Sequence, residues 1–156
     1  PRLSPSMPTI PEDFHDLFEK RTFAHVATLL PDGRPHNSAV WVGYDAEIDR
    51  LLINSERGRR KVRNVEHDPR VSVSMIDPDA LYRRMTVVGT VDGVVEEGAR
   101  GHIDELSRRY SGHDYPHPVD TARVIIEIRP DQGVAQEYVG DRSDSELRSV
   151  SFSYEA

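Results

Sequence analysis

Residues 23–44 do most to limit what this chain can fold into, because they spell a β-hairpin. FAHVATLL (23–30) and PHNSAVWVGY (35–44) are strand-like runs separated by Pro31, Asp32 and Gly33. Proline presets φ for a turn and glycine accepts a positive φ, so the chain is expected to reverse there. Strand side chains alternate between faces. In the second run Val40, Val42 and Tyr44 therefore point one way, and Ala39, Trp41 and Gly43 the other.

Similar signals recur along the chain. A short strand is expected at 51–54. At 71–76, Val71, Val73 and Met75 alternate with Ser72, Ser74 and Ile76. A longer strand spans 82–95, with Gly89 and Gly93 marking bends where a sheet curls. ARVIIEI (122–128) is a strong strand that Pro130 is expected to stop, leaving a last short strand at 133–138. Helices are expected at 11–20, 57–66 and 97–110. Pro11, Glu12 and Asp13 suit the start of the first, and Phe14, Leu17 and Phe18 share one of its faces. Val62 and Val65 form the buried side of the second, and Ile103, Leu106 and Tyr110 line the third. Residues 111–121 read as a polar loop. One domain is expected at 11–139, with an N-terminal extension (1–10) and a polar, mobile C-terminal tail (140–156). Six or seven strands with interleaved helices predict a mainly β fold with some α, a mostly antiparallel barrel rather than a doubly wound sheet.

Composition removes several function classes. There is no cysteine, which excludes disulfides, thiolate zinc sites and a cysteine nucleophile. The net charge of -7 argues against nucleic acid or an anionic membrane as the partner. No apolar run approaches the roughly 18 residues of a membrane helix. PRLSPSMPTIPEDF lacks the pattern of a signal peptide, so the cytoplasm is the expected location. Seven histidines are present without an H-E-x-x-H pattern, and no metal is expected. Neither a G-x-S-x-G elbow nor a P-loop occurs.

The chemistry is expected around Arg57-Gly58-Arg59-Arg60-Lys61-Val62-Arg63, where five of seven residues are basic in an acidic chain. Gly58 permits a tight turn from strand into helix. Cations at a helix start oppose its dipole unless an anion is bound there. A phosphate site and a merely solvated basic helix are the two readings. His36, Asn37, Ser38 and Ala39 on the hairpin, with Asn54 and Ser55 before the basic turn, supply edge hydrogen bonds. A ligand lying from Asn37 and Ser38 past Asn54 to Lys61 would carry a polar ring at one end and a phosphate at the other. Trp41, the only tryptophan, either packs in the core or stacks on such a ring.

The run PDGRPHNSAVWVGYD, LLINS, GRRKVRN and HDPRVSVSMID resembles the pyridoxamine 5′-phosphate oxidase-like split-barrel superfamily. K-V-R-N-V-x-H-D-P-R-V-S-V looks most like its deazaflavin-dependent oxidoreductase branch. The resemblance covers about residues 11–135. It implies an FMN-binding-like split β-barrel and a homodimer with cofactor sites shared across the interface. It implies that Arg59 and Lys61 hold a cofactor phosphate with Arg60 nearby, and that His36 to Ala39 and Asn54 line the ring and ribityl chain. Tyr82 and Arg84 would reach over from the partner subunit. The function implied is an oxidoreductase passing a hydride between coenzyme F420 and a small unsaturated organic substrate. The alternatives are an FMN-binding flavoprotein and a non-catalytic flavin or deazaflavin binding module. The C-terminal substrate-phosphate residues of true pyridoxamine phosphate oxidases are missing after Gly140, which argues against vitamin B6 oxidation. The surplus of Arg57, Arg60 and Arg63 suits the carboxylate tail of F420.

Overall fold

Eight strands make one sheet in the computed structural model, which describes residues 7–118 and 122–156. They are β1 (Phe23–Leu29), β2 (Pro35–Trp41), β3 (Gly43–Asp45), β4 (Arg50–Glu56), β5 (Arg70–Asp77), β6 (Ala80–Val95), β7 (Arg123–Val139) and β8 (Glu146–Ser153). The order is β2-β1-β5-β6-β7-β4-β3, with β8 also on β7. Every pairing is antiparallel. β2 and β3 lie at opposite ends of this order, yet only Val42 separates them in sequence. The sheet must therefore roll up until its ends meet. Leu51, Ile53, Val73, Met75, Met85, Val87, Ile126 and Ile128 fill the resulting core. Each such side chain, fully buried, contributes roughly 1.5–3 kcal/mol. Among the described residues no helix is long and apolar enough to cross a membrane.

The expected first helix is a 3₁₀ helix, Glu12–Phe18, with Phe14, Leu17 and Phe18 buried as the pattern required. Arg83 ties it to the sheet through Asp16 at 2.8 Å, Asp77 at 2.9 Å and Glu137 at 3.2 Å. The second helix, α1, is Arg60–His67 and buries Val62, Asn64 and Val65. The third, α2, is Ala99–Ser111.

Three expectations need correction. The hairpin's second strand breaks at Val42 into β2 and β3. Pro130 does not end a strand, because β7 runs through it. Pro130 faces Gly89 at a register shift, and Asp131 is the extra residue there. A bulge tolerates the missing proline N–H. Thr90 Oγ1 donates to Asp131 at 2.5 Å and Arg129 Nε at 2.6 Å, which fixes the bulged side chain. The register also shifts before Gly93, so both glycines mark bends as expected. Finally, residues 146–153 of the expected tail form β8, with Val150 and Phe152 packed on the core.

α2 is fastened by polar contacts. Val42 is fully buried. Its N–H donates to Tyr110 Oη at 3.3 Å, and its carbonyl accepts from Arg109 Nη1 at 2.7 Å. Tyr110 Oη donates in turn to the Thr22 carbonyl, and Trp41 stacks on its ring at 5.1 Å. Asn54 Nδ2 donates to the Ala99 carbonyl at 2.9 Å and to His102 Nδ1 at 3.0 Å.

Two outcomes follow from this packing. A Cβ at Gly133 would strike the Thr86 carbonyl oxygen and the Phe152 ring. Gly133→Ala is expected to cost about 1–3 kcal/mol, read as a lower urea midpoint at unchanged slope. An unaltered midpoint would show that β8 does not seat there. Burial, reinforced by Arg109 and Arg123, holds His102 below its ordinary value of 6.5, against the pull of Glu105. The unfolded chain therefore binds this proton more readily, so stability present above that value is lost as pH falls. His102→Gln is expected to flatten the fall in melting temperature between about pH 7 and 5. Parallel curves for variant and parent would refute a neutral, buried His102.

Candidate cofactor-binding site

The turn from β4 into α1 sets up the site. Gly58 takes φ +99, a conformation glycine accepts without strain. Arg59 occupies the N-cap, no side chain caps the helix, and its first turn holds no acid. The leading N–H groups of α1 thus share the first turn with cations and with no acid.

Lys61 is half-buried. Burial lowers its pKa below the ordinary lysine value, and the neighbouring Arg59 and Arg123 charges lower it further. Among the described residues it has no carboxylate partner. Arg59 and Arg60 are exposed beside it, and Arg63 follows on the same helix. A desolvated ammonium between two guanidinium groups favours an anion. Arg57 does not share this role. It precedes the helix and pairs with Glu66 at 3.6 Å and Glu96 at 2.9 Å.

The strand residues nominated from sequence do not converge on one surface. Along β2, Asn37 and Ala39 are exposed, while His36 and Ser38 turn to the other side. His36 Nδ1 and Ser38 Oγ are buried there without hydrogen-bond partners among the described residues. Asn54 and Ser55 alternate in the same way, and Ser55 is buried. Asn54 is already engaged, because it also accepts from Arg123 Nε at 2.6 Å. Tyr82 and Arg84 stand at the start of β6. Arg84 Nη1 donates to the Tyr82 carbonyl at 3.0 Å, and the Tyr82 ring meets Tyr138 edge-on at 5.9 Å. Among the described residues no contact joins Tyr82 or Arg84 to Lys61.

Sequence reading missed Arg123. It opens the apolar run of β7 and sits opposite Glu56 in the register, with Nη1 3.2 Å from Glu56 Oε1. An arginine at the head of a half-buried strand was the available signal. Arg123 and Asn54 line a cavity of about 250 Å³ with Ala39, Trp41 and Tyr115. A wider hollow, about 1000 Å³, lies elsewhere, along β6, β7, β8 and Met7, and no cation is among the described residues that line it.

The fit to a flavin-type phosphate rests on Lys61 and its flanking guanidiniums, which satisfy the donor chemistry such a group needs. On β2, Asn37 and Ala39 present an exposed face.

The family model for pyridoxamine 5′-phosphate oxidase matches residues 10–137. Among solved structures, one called an F420 reductase is 36% identical, with a TM-score of 0.70, covering 80% of this chain and 98% of its own. A conserved hypothetical protein from Mycobacterium tuberculosis is 21% identical with a TM-score of 0.60, covering 98% and 90%. A pyridoxamine 5′-phosphate oxidase-related, FMN binding protein from Nostoc punctiforme is 15% identical with a TM-score of 0.56, covering 85% and 87%. These last two share the fold alone. No curated protein is similar to the chain at a significant level. With the rolled antiparallel sheet and a family model spanning most of its length, the chain belongs to the pyridoxamine 5′-phosphate oxidase family of split barrels.

Proposed function

We propose that the chain is an oxidoreductase that passes a hydride between coenzyme F420 and a small unsaturated organic substrate. The observation that carries this reading is Lys61, half-buried and without a carboxylate partner among the described residues, at the uncapped start of α1. Lys61 and Arg59 would hold the cofactor phosphate. Arg60 and Arg63 would meet the carboxylates beyond it, a part that only the deazaflavin possesses. The 36% identity to an F420 reductase supports the same choice. When bound, the deazaflavin supplies the hydride chemistry. The chain's own residues bind its anionic end and fix its orientation along β2, at Asn37 and Ala39. FMN is the second reading. Arg57 favours it, because its pairing with Glu66 and Glu96 removes one of the cations a longer anionic tail would use.

The site is completed, in this reading, by a second copy of the chain. Leu81 and Tyr82 are 72% and 71% exposed, and Tyr138 and Leu147 lie uncovered close by. An apolar ridge of this kind suits a symmetric interface. It would bring Tyr82 and Arg84 of one copy to the cations of the other.

Two experiments test these statements. Titrations of F420 and FMN against ligand-free protein should show tighter binding of F420, with the gap narrowing at high salt as exposed pairs are screened. Lys61→Met should weaken both ligands roughly ten- to a hundredfold, the worth of a charge-assisted bond of about 1.5–3 kcal/mol. The same variant should leave the melting temperature of the free protein unchanged or higher, since burying Lys61 is unfavourable without an anion. Affinity in the parent should fall at a pH below the ordinary lysine range, because Lys61 loses its proton early. Equal binding by variant and parent would remove the phosphate assignment. Sedimentation at micromolar concentration should give a dimer, and a stable monomer would rule out the shared site.

A further inference from the structure

A second feature is the cavity between α2 and the barrel, lined by Arg123 and by the aromatic residues around Trp41. It measures about 250 Å³, below the range of about 300–1,000 Å³ usual for drug-sized ligands. Room is left for one ring and a short substituent. Its walls are aromatic and already fixed. Trp41 is stacked on Tyr110 with an interplanar angle of 10°. Phe23 meets Tyr110 edge-on at 5.5 Å. The Tyr115 N–H donates to Asp104 Oδ1 at 3.0 Å, which holds that residue in place. Ile103 and Leu106 close the side toward α2.

The polar end is Arg123, whose side chain is only 9% exposed. Its Nε serves Asn54 and its Nη1 one oxygen of Glu56. Its guanidinium lies over the Tyr115 ring, 5.1 Å from the centroid. Nη2 has no hydrogen-bond partner among the described residues. A guanidinium offers five donors in a fork that matches a carboxylate. Buried cations are normally paired; Arg123 is ion-paired with Glu56 and keeps Nη2 as a donor not engaged by any described residue. Its charge also lowers the pKa of Lys61 and of His102. Among the described residues no acidic one lines the cavity. A purely apolar ligand would leave the remaining donors unsatisfied, at a penalty that discriminates strongly against it.

We propose that this cavity is a substrate subsite for a planar, single-ring carboxylate, with Arg123 holding the carboxylate and Trp41 and Tyr115 flanking the ring. Calling the ligand a substrate rests on the oxidoreductase reading above; the ligand preference itself does not. Asn54 bounds the cavity and belongs to β4, the strand that leads into the basic turn. Arg123, which also lines the cavity, acts electrostatically on Lys61.

Trp41 is the only tryptophan, so its indole N–H gives a single, assigned resonance at the wall of the cavity. Benzoate and benzyl alcohol are titrated into the cofactor-free protein. Benzoate should shift this resonance saturably, at least tenfold more tightly than benzyl alcohol. Arg123→Met should reduce benzoate to the level of benzyl alcohol and leave the alcohol unchanged. Arg123→Lys, which keeps the charge but not the fork, should fall between. The benzoate response should survive saturating FMN or F420. No saturable shift up to about 10 mM, a concentration that would reveal even millimolar binding, would overturn the proposal. Equal affinity for the two probes would do the same, and this comparison needs no variant to fold. Displacement of benzoate by FMN would assign the cavity to the cofactor and overturn the subsite while leaving the oxidoreductase reading intact. Failure of both cofactors to bind would overturn that reading and leave the benzoate preference to be read on its own.

Discussion

Closure of the barrel depends on the backbone of one residue, Val42. At the point where β2 ends and β3 begins, the chain leaves one end of the sheet for the other. A buried N–H and carbonyl in such a joint cannot find ladder partners, and leaving them unmet would cost about 1–3 kcal/mol each. Tyr110 and Arg109 meet them from α2. The helix is thus part of the barrel's seam. Docking it also sets Asn54 against Ala99 and His102, and Asn54 in turn receives Arg123. The position of the candidate site follows from how the seam is closed.

The treatment of charge differs sharply between regions. Acids outnumber bases by 27 to 20, so carboxylates are available to neutralise most cations. Arg83 engages three of them, and Lys20 lies 3.0 Å from Asp77. Arg57 is neutralised one residue before the glycine that starts the basic turn. Lys61 is half-buried a few residues later without such a partner among the described residues. In a chain rich in acid, this local absence of counter-charge carries more information than the count of basic residues, because a buried, unmatched cation is unfavourable until an anion arrives.

Much of the fold was legible from short-range rules. The turn at Pro31-Asp32-Gly33, the buried faces of the helices and the bends at Gly89 and Gly93 each need only local geometry. The misreadings share a different cause. Pro130 reads as a strand end unless a bulge can be foreseen, and the bulge depends on Gly89 some forty positions earlier. β8 was hidden because only Leu147, Val150 and Phe152 break its polar run, although Val150 and Phe152 have the spacing of a strand. The site was half legible. The basic turn announced itself by composition. The period of β2 was also visible, yet four consecutive residues were nominated where alternation permits only Asn37 and Ala39 on the open face. Arg123 drew no attention because its importance comes from the residues β4 places opposite it.

The joint at Val42 also has a kinetic meaning. Its two polar groups are answered by residues 67 and 68 positions further along the chain. The β1–β2 hairpin can form from local contacts within microseconds, but the seam cannot close until α2 has been made and brought back. The two ends of the sheet therefore join late in folding. In the folded protein, any loosening of α2 exposes the Val42 amide and uncovers the cavity at the same moment. Breathing of the barrel and access to its aromatic cavity are one motion.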